Sequence, residues 1–327
     1  MINLIGWGWQ KLSPALVIGE RDLLYKNYLN YSGSKDRIYP IIRTYLEKAV
    51  GKSKKKILID MFAGSGVVMF NSLDLFDTSI GIEKCNELVR IHNWIISYPL
   101  NDILEEIDNI IAKYELSKNN KEGFLKLRED YNKNLRDSFN PAVLYCLITH
   151  AYNYQLHTNK AGEFNVPSGA GRSWFNPSLR KKLINMKNHI LEEVQYVAGA
   201  PSRKVMITGG DCMDFVHCLN YEGGFKDVVF YVDPPYSASI SKHPYRVGNI
   251  KWTEDEDRKL FECLDYIHEN KGKFIFSNVI QNNGVHNIPL QRWAGKYKLN
   301  PIEVQYTNCS YQRKNSGDTE EVIITNF

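Results

Sequence analysis

Ile57-Leu58-Ile59-Asp60-Met61-Phe62-Ala63-Gly64-Ser65-Gly66 is the stretch on which the fold turns. Ile57 to Phe62 is a short, nearly continuous apolar run, the pattern of a strand buried on both faces. The glycines behind it permit a tight turn and let backbone approach a ligand closely. Upstream stands the basic run Lys52-Ser53-Lys54-Lys55-Lys56, readable as a solvated loop entering the strand or as a phosphate contact. Downstream, Val67 to Phe76 reads as a helix, and Ser79-Ile80-Gly81-Ile82 as a second strand ending at Glu83. Strand, turn, helix and strand make the unit from which parallel sheets with helical faces are built.

Further strand-like runs lie at Lys204–Ile207, Asp227–Val232, Lys273–Phe276 and Glu321–Ile324. The chain between them differs. Asn101 to Asn140 has helical spacing and many charges, Tyr152 to Ser173 is rich in Tyr, Asn and Gly and too irregular for core, and Asn176 to Val197 reads as a basic helix. The expected architecture is α/β: one parallel sheet, Rossmann-like, with helices on both faces. Residues 1–97 and 201–327 form it, and a mainly helical insertion at 98–200 interrupts it. Appended elements of this kind choose partners while the sheet holds chemistry.

Composition narrows the class without choosing a function. With 327 residues, 43% hydrophobic and 24% charged, the chain suits a soluble globular protein. A net charge of +4 is compatible with nucleic acid but does not argue for it. The six cysteines are scattered, with no Cys-x-x-Cys pair and no His at zinc-ligand spacing, so neither metal site nor disulfide framework is expected. The first residues lack the pattern of a signal peptide and no apolar stretch reaches membrane-spanning length. The expectation is a cytoplasmic, reduced protein.

Ligands of open α/β sheets bind beyond the carboxyl ends of strands. Phe62, Gly64 and Gly66 lie at one such end, and Glu83 at the next, where a carboxylate can accept two hydrogen bonds from ribose hydroxyls. A nicotinamide dinucleotide would use the same logic, but Met69 occupies the third glycine position of that fingerprint. A turn with no ligand is the plainer alternative. Tyr31-Ser32-Gly33-Ser34-Lys35 precedes a helix near Ile38; it suits a carboxylate or phosphate, or is an ordinary turn.

Asp233-Pro234-Pro235-Tyr236 follows an almost wholly apolar strand. An amino group on an aromatic base is a poor nucleophile, because its lone pair is delocalised into the ring. Two acceptors set against its two N–H bonds favour an sp³-like nitrogen and free that lone pair for attack on a sulfonium methyl. Asp233 can provide one acceptor and the Pro234 carbonyl the other, with the prolines stiffening the turn. Tyr236 offers a flat face to a base rotated out of its stack. A Pro-Pro turn with a packed tyrosine is the bland reading. Attack through a base carbon would call for a cysteine beside proline, and no Pro-Cys pair occurs.

In this order of motifs the chain resembles the Dam-type adenine-specific DNA methyltransferases, from about Leu29 to Phe327. The resemblance implies the methyltransferase version of the sheet, S-adenosyl-L-methionine as cofactor and double-stranded DNA as partner. It assigns Tyr31, Ser32 and Lys35 to the cofactor, with Lys35 facing its methionine carboxylate. Phe62, Gly64 and Gly66 become the cradle and Glu83 the ribose acceptor. Asp211 with Cys212, in Gly210-Asp211-Cys212-Met213-Asp214-Phe215, becomes the contact to the cofactor's adenine, a role open to Asp214 as well. Asp233 to Tyr236 becomes the catalytic turn, with Asp233 also near the cofactor.

Within the insertion, Tyr152-Asn153 and Gly162-Glu163-Phe164-Asn165-Val166-Pro167-Ser168-Gly169 are similar to the family's DNA-recognition hairpin. Tyr152 would wedge into the base stack and Asn153 would sit near the orphaned partner base, with Asn165, Pro167 and Arg172 as further DNA contacts. Relatives that read GATC carry arginine after the glycine matched by Gly169, where this chain has Ala170. Alanine cannot read guanine, although Arg172 stands nearby. A monomer is the default for asymmetric base chemistry, and a cognate restriction enzyme acting separately, as in a restriction-modification pair, is left open as a further partner. Cytosine amines, RNA adenine and a catalytically silent DNA-binding relative are the alternatives the resemblance leaves.

Overall fold

The structure, a computed structural model, describes residues 24–30, 34–51, 56–135, 140–197, 200–219, 224–235, 246–247, 250–282, 284–302 and 319–327. Tyr31, Ser32 and Tyr236 lie outside the described residues. The central sheet contains β1 (Ile57–Asp60), β2 (Thr78–Glu83), β3 (Lys204–Gly209), β4 (Val228–Val232), β5 (Lys273–Asn282), β6 (Val285–His286), β7 (Lys298–Ile302) and β8 (Thr319–Thr325). Its order is β7-β8-β5-β4-β1-β2-β3, with β6 paired to β5. Every residue of β4 is buried, as its uninterrupted apolar run requires.

Five neighbouring strands, β5-β4-β1-β2-β3, run parallel. The expectation of a wholly parallel sheet fails at one edge, where β8 runs antiparallel to both β5 and β7. A parallel neighbour needs a crossover of a dozen residues or more, usually a helix, whereas an antiparallel one does not. Strand order reverses at β1, which pairs with β2 on one side and with β4 on the other. The open crevice therefore falls at the carboxyl ends of β1 and β4.

Helices α1 (Tyr39–Val50), α2 (Val67–Phe70), α3 (Asn86–Ser97), α4 (Leu100–Lys113), α5 (Lys121–Asp130), α6 (Pro141–His150) and α7 (Pro177–Glu193) precede β3. Among the described residues, α8 (Cys212–Cys218), α9 (Glu254–Glu269) and α10 (Ile288–Ala294) follow it. The helix expected over Val67–Phe76 is a single turn followed by a 3₁₀ turn at Leu73–Leu75. Asn71 stops it: its amide donates to the Val67 and Tyr25 carbonyls at 2.8 and 2.9 Å, and its carbonyl accepts from Tyr25 N at 2.8 Å.

Asn101–Asn140 likewise divides into α4, α5 and one π turn, Tyr131–Leu135. The basic helix ends at Glu193 rather than Val197. Asn140 and Asn176 cap α6 and α7, each followed by a proline in the first turn. Helix α6 is buried along its whole length apart from Pro141. It packs on α3, α4 and α5, and residues of both the sheet and the insertion share one apolar core. The stretch 152–173 is irregular, as expected, but it is not all surface. Phe164, Val166 and Ser173 are buried, and the two arms form isolated antiparallel bridges, Ala151 with Ser168 and Thr158 with Phe164, rather than a continuous ladder.

Candidate active site

The β1 end is shaped by glycine. Gly64 and Gly66 have φ of 48° and 73°, the left-handed region that side chains resist. A Cβ on Gly66 would come within 2.4 Å of the Phe70 ring. The loop is gripped from the neighbouring strand: Glu83 accepts from Gly64 N at 2.9 Å through Oε2 and from Cys85 N at 2.8 Å through Oε1. Burial pushes the Glu83 carboxyl up, and these backbone N–H groups pull it down. With three backbone N–H groups, those of Cys85, Gly64 and Lys84, turned toward it, the carboxylate keeps a fourth lone-pair site for another donor. The ring of Phe62 meets buried Trp252 edge-on, with centroids 5.4 Å apart.

At the β4 end, Asp233 Oδ1 lies 2.9 Å from Lys35 Nζ, with side chains only 17% and 13% exposed. Burial raises the Asp233 carboxyl above its ordinary range; Lys35 opposes that shift and Glu321 adds to it. Pro234 is buried and Pro235 half-buried, so the turn has little freedom. Asp60 closes the floor. It ends β1 in register with Tyr231 of β4, accepts from Phe62 N at 3.4 Å and is 1% exposed. Burial, then the charge of Asp233, pushes it up to about 8, so it is largely protonated at neutral pH.

Asp211 caps α8 by accepting from Met213 N at 2.9 Å, and its other oxygen meets Lys84 Nζ at 3.2 Å. Cys212 is buried in the apolar cluster that includes Ile82 and Val216. Any ligand contact from Cys212 therefore falls to its backbone. Asp214 sits in the first turn of the same helix.

A second group of residues is carried by the loop after α6. Tyr152 is 39% exposed, and its N–H donates to the Pro167 carbonyl at 2.9 Å. The guanidinium of Arg172 lies 5.5 Å from the centre of the Tyr152 ring and donates to its hydroxyl at 3.2 Å. Asn153 and Tyr154 both have positive φ, 52° and 56°, which turns the chain sharply at some cost in strain. Asn165 is engaged with His157, side chain to side chain at 2.6 Å. The far arm is pinned by Asn132, whose amide donates to the Phe164 carbonyl at 3.0 Å and accepts from Phe164 N at 2.8 Å. Ala170 is exposed.

Residues 31–308 match the D12 class N6 adenine-specific DNA methyltransferase family. The chain belongs to this family. Among curated relatives, it is 30% identical over 310 residues to the type II methyltransferase M.FokI of Planomicrobium okeanokoites, covering 92% of this chain and 43% of that protein. It is 28% identical over 320 residues to the modification methylase StsI of Streptococcus sanguinis, with coverage of 92% and 43%. The DNA adenine methylase of Salmonella typhi is 24% identical over 304 residues, with coverage of 90% and 92%. The chain thus spans less than half the length of the first two relatives.

In this D12 chain, Asp60, Trp252 and the pairing of Lys35 with Asp233 lie outside the sequence motifs. An acidic residue ending an apolar strand was the available sign for Asp60. Nothing local connects residue 35 with residue 233. No described helix is long and apolar enough to cross a membrane, and no cluster of His, Cys, Asp and Glu among the described residues is arranged to hold a metal ion.

Proposed function

We propose that the protein transfers a methyl group from S-adenosyl-L-methionine to the exocyclic amino group of adenine in double-stranded DNA. The observation that carries this reading is the Lys35-paired Asp233 at the tip of β4, beside a glycine cradle gripped by Glu83 on β1 and β2. The cradle fits the cofactor: side-chain-free backbone at Gly64 and Gly66 permits close approach, and Glu83 retains acceptor capacity for a ribose hydroxyl. Phe62, Asp211 and the backbone of Cys212 would hold its adenosine part, while Tyr31, Ser32 and Lys35 would hold the methionine end. When bound, the cofactor supplies an electrophilic methyl group on a positively charged sulfur.

The protein's own work is to make the amine attack. Asp233 and the Pro234 carbonyl each accept one N–H, which holds the nitrogen lone pair out of the ring. Lys35 favours the ionised form of Asp233, the form that accepts. The methylated nitrogen would carry a proton to lose, and Asp233 is the base placed to take it. Protonated Asp60 leaves Asp233 as the acceptor on this floor. Tyr236 would stack on the flipped base. The segment 98–200 would recognise the target, with Tyr152 as wedge, Asn153 at the orphaned base, and Asn165, Pro167 and Arg172 along the DNA. One chain supplies all of these groups, in keeping with a monomer. The names of the modification methylases among the relatives support a protective role opposite a restriction enzyme.

The test is methyl transfer by purified protein from radiolabelled S-adenosyl-L-methionine to duplex DNA, followed by nucleoside mass spectrometry. N6-methyladenine is the expected product, and rates should fall at acidic pH as Asp233 takes up a proton. Label found only in cytosine, or only in RNA, would overturn the reading.

A further inference from the structure

Beneath the cofactor loop lies a buried imidazole that none of the motifs includes. His92 stands on α3 with 0% exposure, boxed by the rings of Phe70 and Tyr28, each with its centroid 5.8 Å away. Its Nε2 is 2.8 Å from the Gly64 carbonyl, and its Nδ1 is hydrogen-bonded to the Tyr28 hydroxyl. A carbonyl only accepts, so Nε2 carries the proton and Nδ1 is left to accept from Tyr28. Burial supports this arrangement: it lowers His92 to about 4, keeping the ring neutral, and holds the Tyr28 phenol protonated. One tautomer satisfies both contacts.

The chain of bonds continues in both directions. Gly64 N–H donates to Glu83, so both peptide groups of this left-handed glycine are held by side chains, one from α3 and one from β2. On the other side, the Tyr28 carbonyl accepts from the Tyr145 hydroxyl at 2.8 Å. Tyr145 belongs to α6, the helix that leads directly into Tyr152. A phenylalanine would fill the same box, but it would leave the inward-facing Gly64 carbonyl without its donor.

We infer that His92 is the positioning residue of the cofactor loop, fixing Gly64 through its carbonyl, and that Tyr28 and Tyr145 anchor this ring to the recognition insertion. The inference rests on the proposed function, since the loop's ligand is the cofactor named there. His92 touches neither substrate nor cofactor; it acts through Gly64.

The experiment measures S-adenosylhomocysteine affinity by calorimetry, together with the KM for S-adenosyl-L-methionine and kcat, on the full chain. His92→Phe should weaken binding and raise KM by about tenfold, with kcat at saturation within about threefold. His92→Gln, whose amide can still donate to Gly64, should recover most of the lost affinity. Tyr28→Phe should cost a few-fold in affinity, and Tyr145→Phe less. Wild-type affinity in folded His92→Phe, or equal losses in His92→Phe and His92→Gln, would overturn the inference. If His92→Phe fails to fold, Tyr28→Phe decides, and unchanged affinity there overturns it. Failure of the wild-type protein to bind at all would instead bring down the proposed function, and this inference with it.

Discussion

Two loops of this molecule use the same backbone device under different conditions. The glycine loop at Phe62–Gly66 and the loop at Tyr152–Arg172 both rely on left-handed residues. The first sits on the sheet at the switch in strand order, held by buried or half-buried groups: Glu83, His92 and Phe70. In the second, the Asn132–Phe164 ties are half-buried like those of the first, whereas the Arg172–Tyr152 tie is exposed. Low dielectric strengthens the polar contacts of the first and makes each of them costly to lose. The exposed Arg172–Tyr152 tie can be exchanged for other contacts at little expense. Under the proposed function, chemistry sits where geometry is over-determined, and target choice where it is not.

Breaking the buried side of this contrast should produce the largest effect. Asp233→Ala should lower kcat by roughly 10³-fold, about 4 kcal/mol, while calorimetry shows cofactor binding within several-fold of wild type; near-normal turnover would break the comparison. Asp60 tests the same floor through pH. Its folded carboxyl titrates near 8 against an ordinary value of 3.8, so between these values the folded state binds one more proton than the unfolded chain. The stability it contributes is present below about pH 4 and is lost as pH rises through 8, at up to about 1.4 kcal/mol per pH unit. Denaturant midpoints across that range should fall in wild type and flatten in Asp60→Asn.

Gly66→Ala forces a Cβ against buried Phe70 at positive φ and should cost about 1–3 kcal/mol of stability, read by chemical denaturation. On the recognition side the effects should shrink and stay local. Asn132→Ala removes two bonds to Phe164, worth about 1–2 kcal/mol, and hydrogen exchange should lose protection at the Phe164 amide without a matching change at Gly64. Arg172→Ala should leave global stability within about 0.5 kcal/mol. It should still reduce 2-aminopurine fluorescence on base flipping, because Tyr152 loses its brace.

Much of the sheet could be read from the chain, because buried parallel strands leave an apolar run ending in turn residues, as at Ile57–Asp60 and Val228–Val232. The tips of those strands also located the glycine cradle and Asp233. Strand direction at the β8 edge was not legible, since an apolar run has no polarity of its own. The early end of α2 depends on Asn71 reaching Tyr25, a partner 46 residues away. Asn153 announces a turn by its type, but Tyr154 does not, and its positive φ comes from the fold. The pairing of Lys35 with Asp233 and the placing of His92 under Gly64 arise only when distant segments close on one crevice.

That closure has a timetable. Ile57 pairs with Val228, about 170 residues later in the chain, and ribosomes add roughly 5–20 residues each second. For something like ten to thirty seconds a nascent chain holds β1 with one edge unfilled, while the helices of the insertion emerge and pack beside it. A bare strand edge is an invitation to wrong partners, so this chain should depend on early assembly of α3 with α6, or on chaperones, to guard the vacancy that β4 later occupies. The crevice, and with it any reactivity, comes into being only after β4 has emerged.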